Sequence, residues 1–312
     1  MTASDPKQSF MKLDRRDHVM HRVRATTVLL AVILIQAQTV SLADERTFSF
    51  NGFLDTTIHT VTVSDGTMYE LYVSMPPLHD SSDDRKYAVV YVLDGATPIF
   101  LYANLAAGAL HLDGVIHPVI LVGVDSPWVS RAHSNVKRFH MLTPTRSEVD
   151  EQEYSETVGI ELHSGGAAEF RSHIKNDIIP WVEERYPASG QRALVGVSLG
   201  GLFVADTLFK DPDLFSYYLI GSPSLWWDDK VIFNIEESYS SDHNDLSARV
   251  FLSVGEEESD AQVSNARRLF ETLRSRNLEG LDLKFNVFES ETHTAVQATT
   301  MTNGLRYLFS ID

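Results

Sequence analysis

One short string concentrates the reactive chemistry of this 312-residue chain: Gly196-Val197-Ser198-Leu199-Gly200, a G-x-S-x-G pattern between an apolar β-rich run and an amphipathic stretch. A serine on such a strand-to-helix bend sits on strained backbone, and the glycines two before and two after it let strand and helix pack without Cβ clashes. The bend presents the hydroxyl at a helix N-terminus, where the Leu199 amide can donate to an oxyanion. That combination predicts Ser198 as a nucleophile.

A serine hydroxyl is a weak nucleophile at neutral pH and needs an imidazole base. Of twelve histidines, His293 alone follows the last apolar run, Leu281–Phe288, in the segment ESETHTAV. It is the predicted base. A carboxylate must hold its tautomer, and the segment after Arg249–Val254 supplies several: Gly255-Glu256-Glu257-Glu258-Ser259-Asp260. Glu258, three beyond the strand-end glycine, is the first choice, with Glu256 and Asp260 as alternatives. A second oxyanion donor is expected from Asp94-Gly95-Ala96, through the amide of Gly95 or Ala96. No HExxH, P-loop or G-x-G-x-x-G string occurs and the histidines lack metal spacing, so the expected site has no metal and no cofactor.

These residues need a scaffold that brings distant segments together. Strands are predicted at Thr56–Val63, Tyr69–Met75, Tyr87–Leu93, Val119–Val124, Arg192–Val197, Tyr217–Ile220, Arg249–Val254 and Leu281–Phe288. Helices are predicted at Pro98–Leu112, Ala167–Tyr186 with a kink at Pro180, Leu199–Lys210, Ala261–Arg276 and Ala295–Phe309. The segment from Asp125 to His163 carries no clear periodicity and reads as a loop or lid, and a Trp-rich turn follows Tyr217–Ile220. Continuous apolar strands alternating with helices specify an α/β fold, a mostly parallel central sheet covered on both faces.

Composition narrows the partners. With 26 basic against 43 acidic residues the formal charge is −17, which argues against nucleic acid as a ligand. The absence of cysteine excludes disulfides, thiolate metal sites and a cysteine nucleophile. Near the N-terminus, basic Arg22 and Arg24 precede an apolar core from Val28 to Ile35 and small residues at Ser41 and Ala43. This reads as a secretory signal cut after Ala43, with Met11 or Met20 as possible starts. Gln36 and Gln38 interrupt it short of the ~20 apolar residues of a spanning helix, so the mature chain is not expected to insert in a membrane. Residues 44–312 would form one exported domain, periplasmic or secreted.

The strings YVLDGATPIF, GGAAEFRSHIKNDIIPWVEERYP, ALVGVSLGGLFVADTLFKDPDLF, YYLIGSPSLWW and VFLSVGEEE together resemble the putative-esterase family of α/β-hydrolases. That family includes siderophore esterases of the enterobactin and bacillibactin type, S-formylglutathione hydrolase and the mycolyl-transferring antigen 85 proteins. The SPS-x-WW block points to the siderophore-esterase branch. The resemblance implies a serine carboxylic-ester hydrolase acting on a small-molecule ester, with Ser198, His293, Glu258 and the Asp94-Gly95 loop in the roles given above. It also implies Arg138 as a pocket residue and Trp226 and Trp227 as aromatics of the pocket or lid. Acyl transfer of the antigen 85 type and a non-catalytic binding module are the alternatives. Glu148, Asp150, Glu151, Glu153 and Glu156 make the expected lid acidic, which disfavours a strongly anionic substrate unless Arg131, Lys137 and Arg138 offset it.

Overall fold

The computed structural model describes residues 46–48, 56–82, 84–127 and 131–311, side chains at 46–48 and 131–134 excepted. The segment read as a secretory signal, residues 1–43, lies outside the described residues, and the domain treated below falls within residues 44–312. In chain order its elements are β1 (Arg46–Phe48), β2 (Thr56–Thr62), β3 (Met68–Ser74), β4 (Tyr87–Leu93), α1 (Pro98–Leu112), β5 (Val119–Asp125), α2 (Arg131–Leu142) and α3 (Glu148–Val158). There follow α4 (Ala167–His173), a π turn (Ile174–Ile178), α5 (Ile179–Arg185), β6 (Ala188–Val197), α6 (Leu199–Lys210), β7 (Tyr217–Gly221) and α7 (Trp227–Asp242). The chain closes with β8 (Asp245–Gly255), α8 (Asp260–Arg276), β9 (Glu279–Phe288) and α9 (Val296–Phe309).

One sheet orders the strands β1-β2-β3-β5-β4-β6-β7-β8-β9. Pairing is antiparallel from β1 through β3 to β5 and parallel from β5 across to β9. The mostly parallel sheet read from the sequence is therefore the one that forms. In β4 the run YAVVYVL is buried throughout because both faces are covered. Tyr87, Val89, Tyr91 and Leu93 join one core with Phe170, Ile174, Leu202 and Leu269. Ala88, Val90 and Val92 join the other, with Phe100 and Ala103 of α1 and Met301 and Leu305 of α9. Strand order reverses at β4, which lies between β5 and β6, and such a switch point opens a crevice at the carboxyl ends of the strands.

Three segments differ from the sequence reading. The aperiodic 125–163 stretch contains α2 and α3 rather than loop alone. Helix α3, EVDEQEYSETV, buries only Glu151, so it offers no apolar stripe to read; its signals are the Ser147 cap accepting from the Asp150 amide and Gly159 at φ +71°. Helix α7 fills what read as a turn, and its start is disguised because Asp228, Asp229 and Lys230 hold positive φ inside it. The expected kink at Pro180 takes the form of a π turn just before it, where the Ile179 amide reaches back to the Ile174 carbonyl.

Helix α6 is buried from Leu199 to Phe209, so its one acid, Asp206, lies inside. Burial raises its pKa, and the Arg171 guanidinium of α4, which ion-pairs with it, offsets only part of that. Removing the cation in Arg171→Met strands a buried carboxyl. Urea denaturation near neutral pH should register a loss of about 3–5 kcal/mol, shrinking at low pH as Asp206 takes up a proton.

Candidate active site

The elbow forms as the G-x-S-x-G string requires. Ser198 sits between β6 and α6 at φ +62° and ψ −120°, a conformation costly for any residue with a side chain. Its amide donates to the Gly221 carbonyl at 3.0 Å, and its carbonyl accepts from Leu202 and Ser224, each at 3.0 Å. A Cβ on Gly196 would meet the Gly200 carbonyl oxygen at 2.4 Å, so strand and helix touch only because this residue has no side chain. The second close approach is at Gly201, not Gly200: a Cβ there would lie 2.8 Å from the Gly221 oxygen, whereas at Gly200 its nearest contact would be an ordinary 3.4 Å. The Leu199 amide opens α6, with no helical carbonyl a turn earlier to accept it.

His293, on the β9–α9 connection, and Glu258, after β8, meet at 2.6 Å through Nδ1 and Oε2. Glu258 is held on its other oxygen, Oε1, by the Ser222 hydroxyl at 2.6 Å and the Gly255 amide at 2.8 Å. Burial pushes its carboxyl up, but the bonds from His293, Ser222 and Gly255 outweigh this and leave the pKa below its ordinary value. An ionised Glu258 assigns the imidazole proton to Nδ1 and leaves Nε2 as the basic nitrogen. The alternatives point elsewhere: Glu256 accepts from the Ser290 amide, and Asp260 begins α8.

The expected hydrogen bond between Ser198 and His293 is not among those formed by the described residues. The partner of the Ser198 hydroxyl is the Ser224 hydroxyl at 3.3 Å. Ser198 and His293 are instead connected through the loop after β7, whose Ser222 holds Glu258 and whose Ser224 meets Ser198. Neither serine was a site candidate from sequence spacing. The SPS string was visible, but nothing in its spacing tells which hydroxyl faces which partner.

The second oxyanion donor also requires correction. The Gly95 amide donates to the Val124 carbonyl at 3.1 Å and the Ala96 amide to Asp125 Oδ2 at 3.0 Å, so both are engaged by the end of β5. Asp125 was not singled out because a single acid at a strand end is a common surface feature. Burial, together with the nearby Asp94 charge, raises its pKa to about 6, despite the amides of Ala96 and Ser126 and the Arg138 guanidinium. A raised folded pKa adds stability at low pH that disappears as the group ionises. Wild type should accordingly lose stability relative to Asp125→Asn as pH climbs from 3.8 through about 6, a difference that thermal melts across that range would reveal.

The three residues placed by resemblance fare differently. Arg138 lines a small pocket with Asp125 and Phe170 that none of Ser198, Glu258 or His293 borders, and its guanidinium forms a fork on Asp94, 2.6 and 3.0 Å, and reaches the Val197 carbonyl at 3.4 Å. It is the cation of an ion pair rather than a free pocket charge. Burial opposes its charge, yet the Asp94 carboxylate holds its pKa above the ordinary value. Trp227 is fully buried, donates to the Thr145 carbonyl and packs edge-on against Phe139, so it is a core residue. Trp226 stacks on Tyr154 of α3, in the segment read as a loop or lid, with ring centroids 5.4 Å apart. Among the described residues, Asp65, Glu169 and His173 bring potential metal-ligand atoms within 4.8 Å of one another. His173 is already engaged there by Asp65 and Tyr69, and the group shares no residue with the serine site.

Comparison with known proteins identifies the family. The profile of the family described as putative esterase matches residues 64–299. The chain is 27% identical over 265 residues to the ferri-bacillibactin esterase BesA of Bacillus subtilis, covering 80% of this chain and 87% of that protein. It is 31% identical to the siderophore triacetylfusarinine C esterase of Aspergillus fumigatus over 56% of this chain and 57% of that protein. The crystal structure of BES protein from Bacillus cereus superposes with a TM-score of 0.72 at 28% identity, covering 87% of this chain and all of that one.

Proposed function

Because the chain belongs to the putative-esterase family and is an ester hydrolase, we propose that it opens siderophore esters through an acyl-enzyme, with Ser198 as nucleophile, His293 as base and Glu258 behind the imidazole. The reading of roles rests above all on the 2.6 Å Glu258–His293 contact beside a serine held at φ +62°. Substrate binding points the Ser198 O–H bond toward His293 Nε2 while its oxygen stays beside Ser224; catalytic hydrogen bonds commonly tighten only at this stage. Oγ then attacks the ester carbonyl carbon while its proton passes to Nε2. The Leu199 amide stabilises the oxyanion, and an Ala96 contribution requires that its amide leave Asp125. One such donor is worth about 10²–10³ in rate. Collapse expels the alcohol, which takes the proton from His293. A water then gives its proton to Nε2 and attacks the acyl carbonyl; collapse breaks the C–Oγ bond, Nε2 returns the proton to Oγ, and the acid leaves.

The siderophore assignment is taken from the named substrates of the two esterase relatives. The acidic lid is less repulsive than its composition suggests. Just before α3, Arg146 approaches Glu148 and Glu151; within α3, Asp150 accepts from Ser147 and Asp228, and Glu151 accepts from Ser164. Export through the leader over residues 1–43 completes the proposal; no described helix is long and apolar enough to cross a membrane.

The test is a panel of p-nitrophenyl esters of rising chain length beside a catecholate trilactone and triacetylfusarinine C, run on wild type and Ser198→Ala with and without acceptor alcohols. Serine-dependent cleavage of a siderophore ester to free acid is the expected result. Turnover of p-nitrophenyl esters alone would remove the siderophore assignment, and product diverted mainly to acceptor alcohols would favour acyl transfer.

A further inference from the structure

The loop Gly221-Ser222-Pro223-Ser224 is fastened at every polar position. The Gly221 carbonyl accepts from the Ser198 amide, the Ser222 amide donates to the Ser253 carbonyl at 2.8 Å, and the Ser224 amide donates to the Ser198 carbonyl. Gln262 of α8, itself buried, uses one Nε2 to hold the carbonyls of Ser222 at 2.7 Å and Pro223 at 2.8 Å. Against α6, the side-chain-free Gly201 lets this loop lie on the helix directly. Ser222 nonetheless has φ +39°, a left-handed conformation that a serine holds only when its surroundings enforce it. Strained backbone this heavily tied serves to fix the direction of a side chain. Both hydroxyls are buried, and they point to opposite ends of the site: Ser222 to Glu258 at 2.6 Å, Ser224 to the Ser198 hydroxyl at 3.3 Å.

We propose that this loop is a two-ended bracket for catalysis, in which Ser222 is a positioning residue that aims Glu258 at His293 and Ser224 holds the Ser198 oxygen in register with them. The inference rests on the serine-esterase reading above. Ser224 meets the Ser198 oxygen at 3.3 Å and can keep it in place while its proton passes to His293. Ser222 acts at one remove, by fixing the carboxylate that fixes the imidazole.

A double-mutant cycle on p-nitrophenyl acetate hydrolysis tests the bracket. Ser222→Ala is expected to lower kcat about tenfold with KM nearly unchanged, and to have little further effect in a Glu258→Gln background, where its partner has lost its charge. Ser222→Gly, which accepts the positive φ, should show the same loss without a lower melting temperature, and it decides the matter if the alanine variant fails to fold. Ser224→Ala should slow inactivation by diisopropyl fluorophosphate about tenfold, and Ser224→Thr, which restores a hydroxyl, should recover it. Wild-type rates in the single variants, or losses that add fully to that of Glu258→Gln, would overturn the bracket. Activity surviving in Ser198→Ala would overturn the esterase reading itself, which keeps the two failures distinct.

Discussion

Ser198→Ala is expected to cut kcat for ester hydrolysis by roughly 10⁵–10⁶, the scale on which removal of a serine nucleophile leaves only binding and oxyanion stabilisation. Fold and melting temperature should survive, because the hydroxyl's recorded hydrogen bond is the 3.3 Å contact to Ser224 and the elbow is built from backbone contacts. Alanine does not relieve the φ of +62°, whereas glycine does. Ser198→Gly should therefore be as inactive as Ser198→Ala and melt at a higher temperature, the signature of strain kept for function rather than stability. Kinetics and calorimetry on the two variants side by side check both halves. An active Ser198→Ala would end the nucleophile assignment.

The second large effect falls on Glu258. Glu258→Gln preserves volume but presents an amide to His293, removing the charge that keeps the proton on Nδ1. The loss in kcat should be about 10³–10⁴, comparable to neutralising the triad acid elsewhere. Stability follows the opposite linkage to Asp125. Because the folded state lowers the Glu258 pKa, its ionised form stabilises the wild type above pH 4.5, and this contribution fades as pH falls through the lowered value. Melts of wild type and variant should converge in acid and separate toward neutral pH; parallel curves would mean that the His293 and Ser222 contacts do not persist in solution.

What the sequence made legible was whatever topology dictates. A glycine-flanked serine after one buried strand, an acid after a later one and a histidine after the last are ordered by the sheet; Glu258 and His293 are in contact, while Ser198 meets Ser224 instead. The run YAVVYVL announced a strand buried on both faces. Illegible were the features set by side-chain direction or by caps alone. Helix α3 lacks an apolar stripe, and the left-handed residues at the head of α7 hide its start. Trp227 next to Trp226 gave no sign that one ring enters the core and the other stacks on the lid. The capture of the Ala96 amide by Asp125 depends on two loops from neighbouring strands meeting, which no local pattern encodes. The same holds for the Ser222 and Ser224 hydroxyls.

That one activated serine performs the chemistry is tested by treating the folded protein with a fluorophosphonate probe and locating the adduct by peptide mass spectrometry. The account predicts stoichiometric labelling on the peptide carrying Ser198, in step with loss of esterase activity, and labelling slowed severely in His293→Ala. Activity lost with the adduct on a different serine, or full activity with no adduct at Ser198, would contradict it.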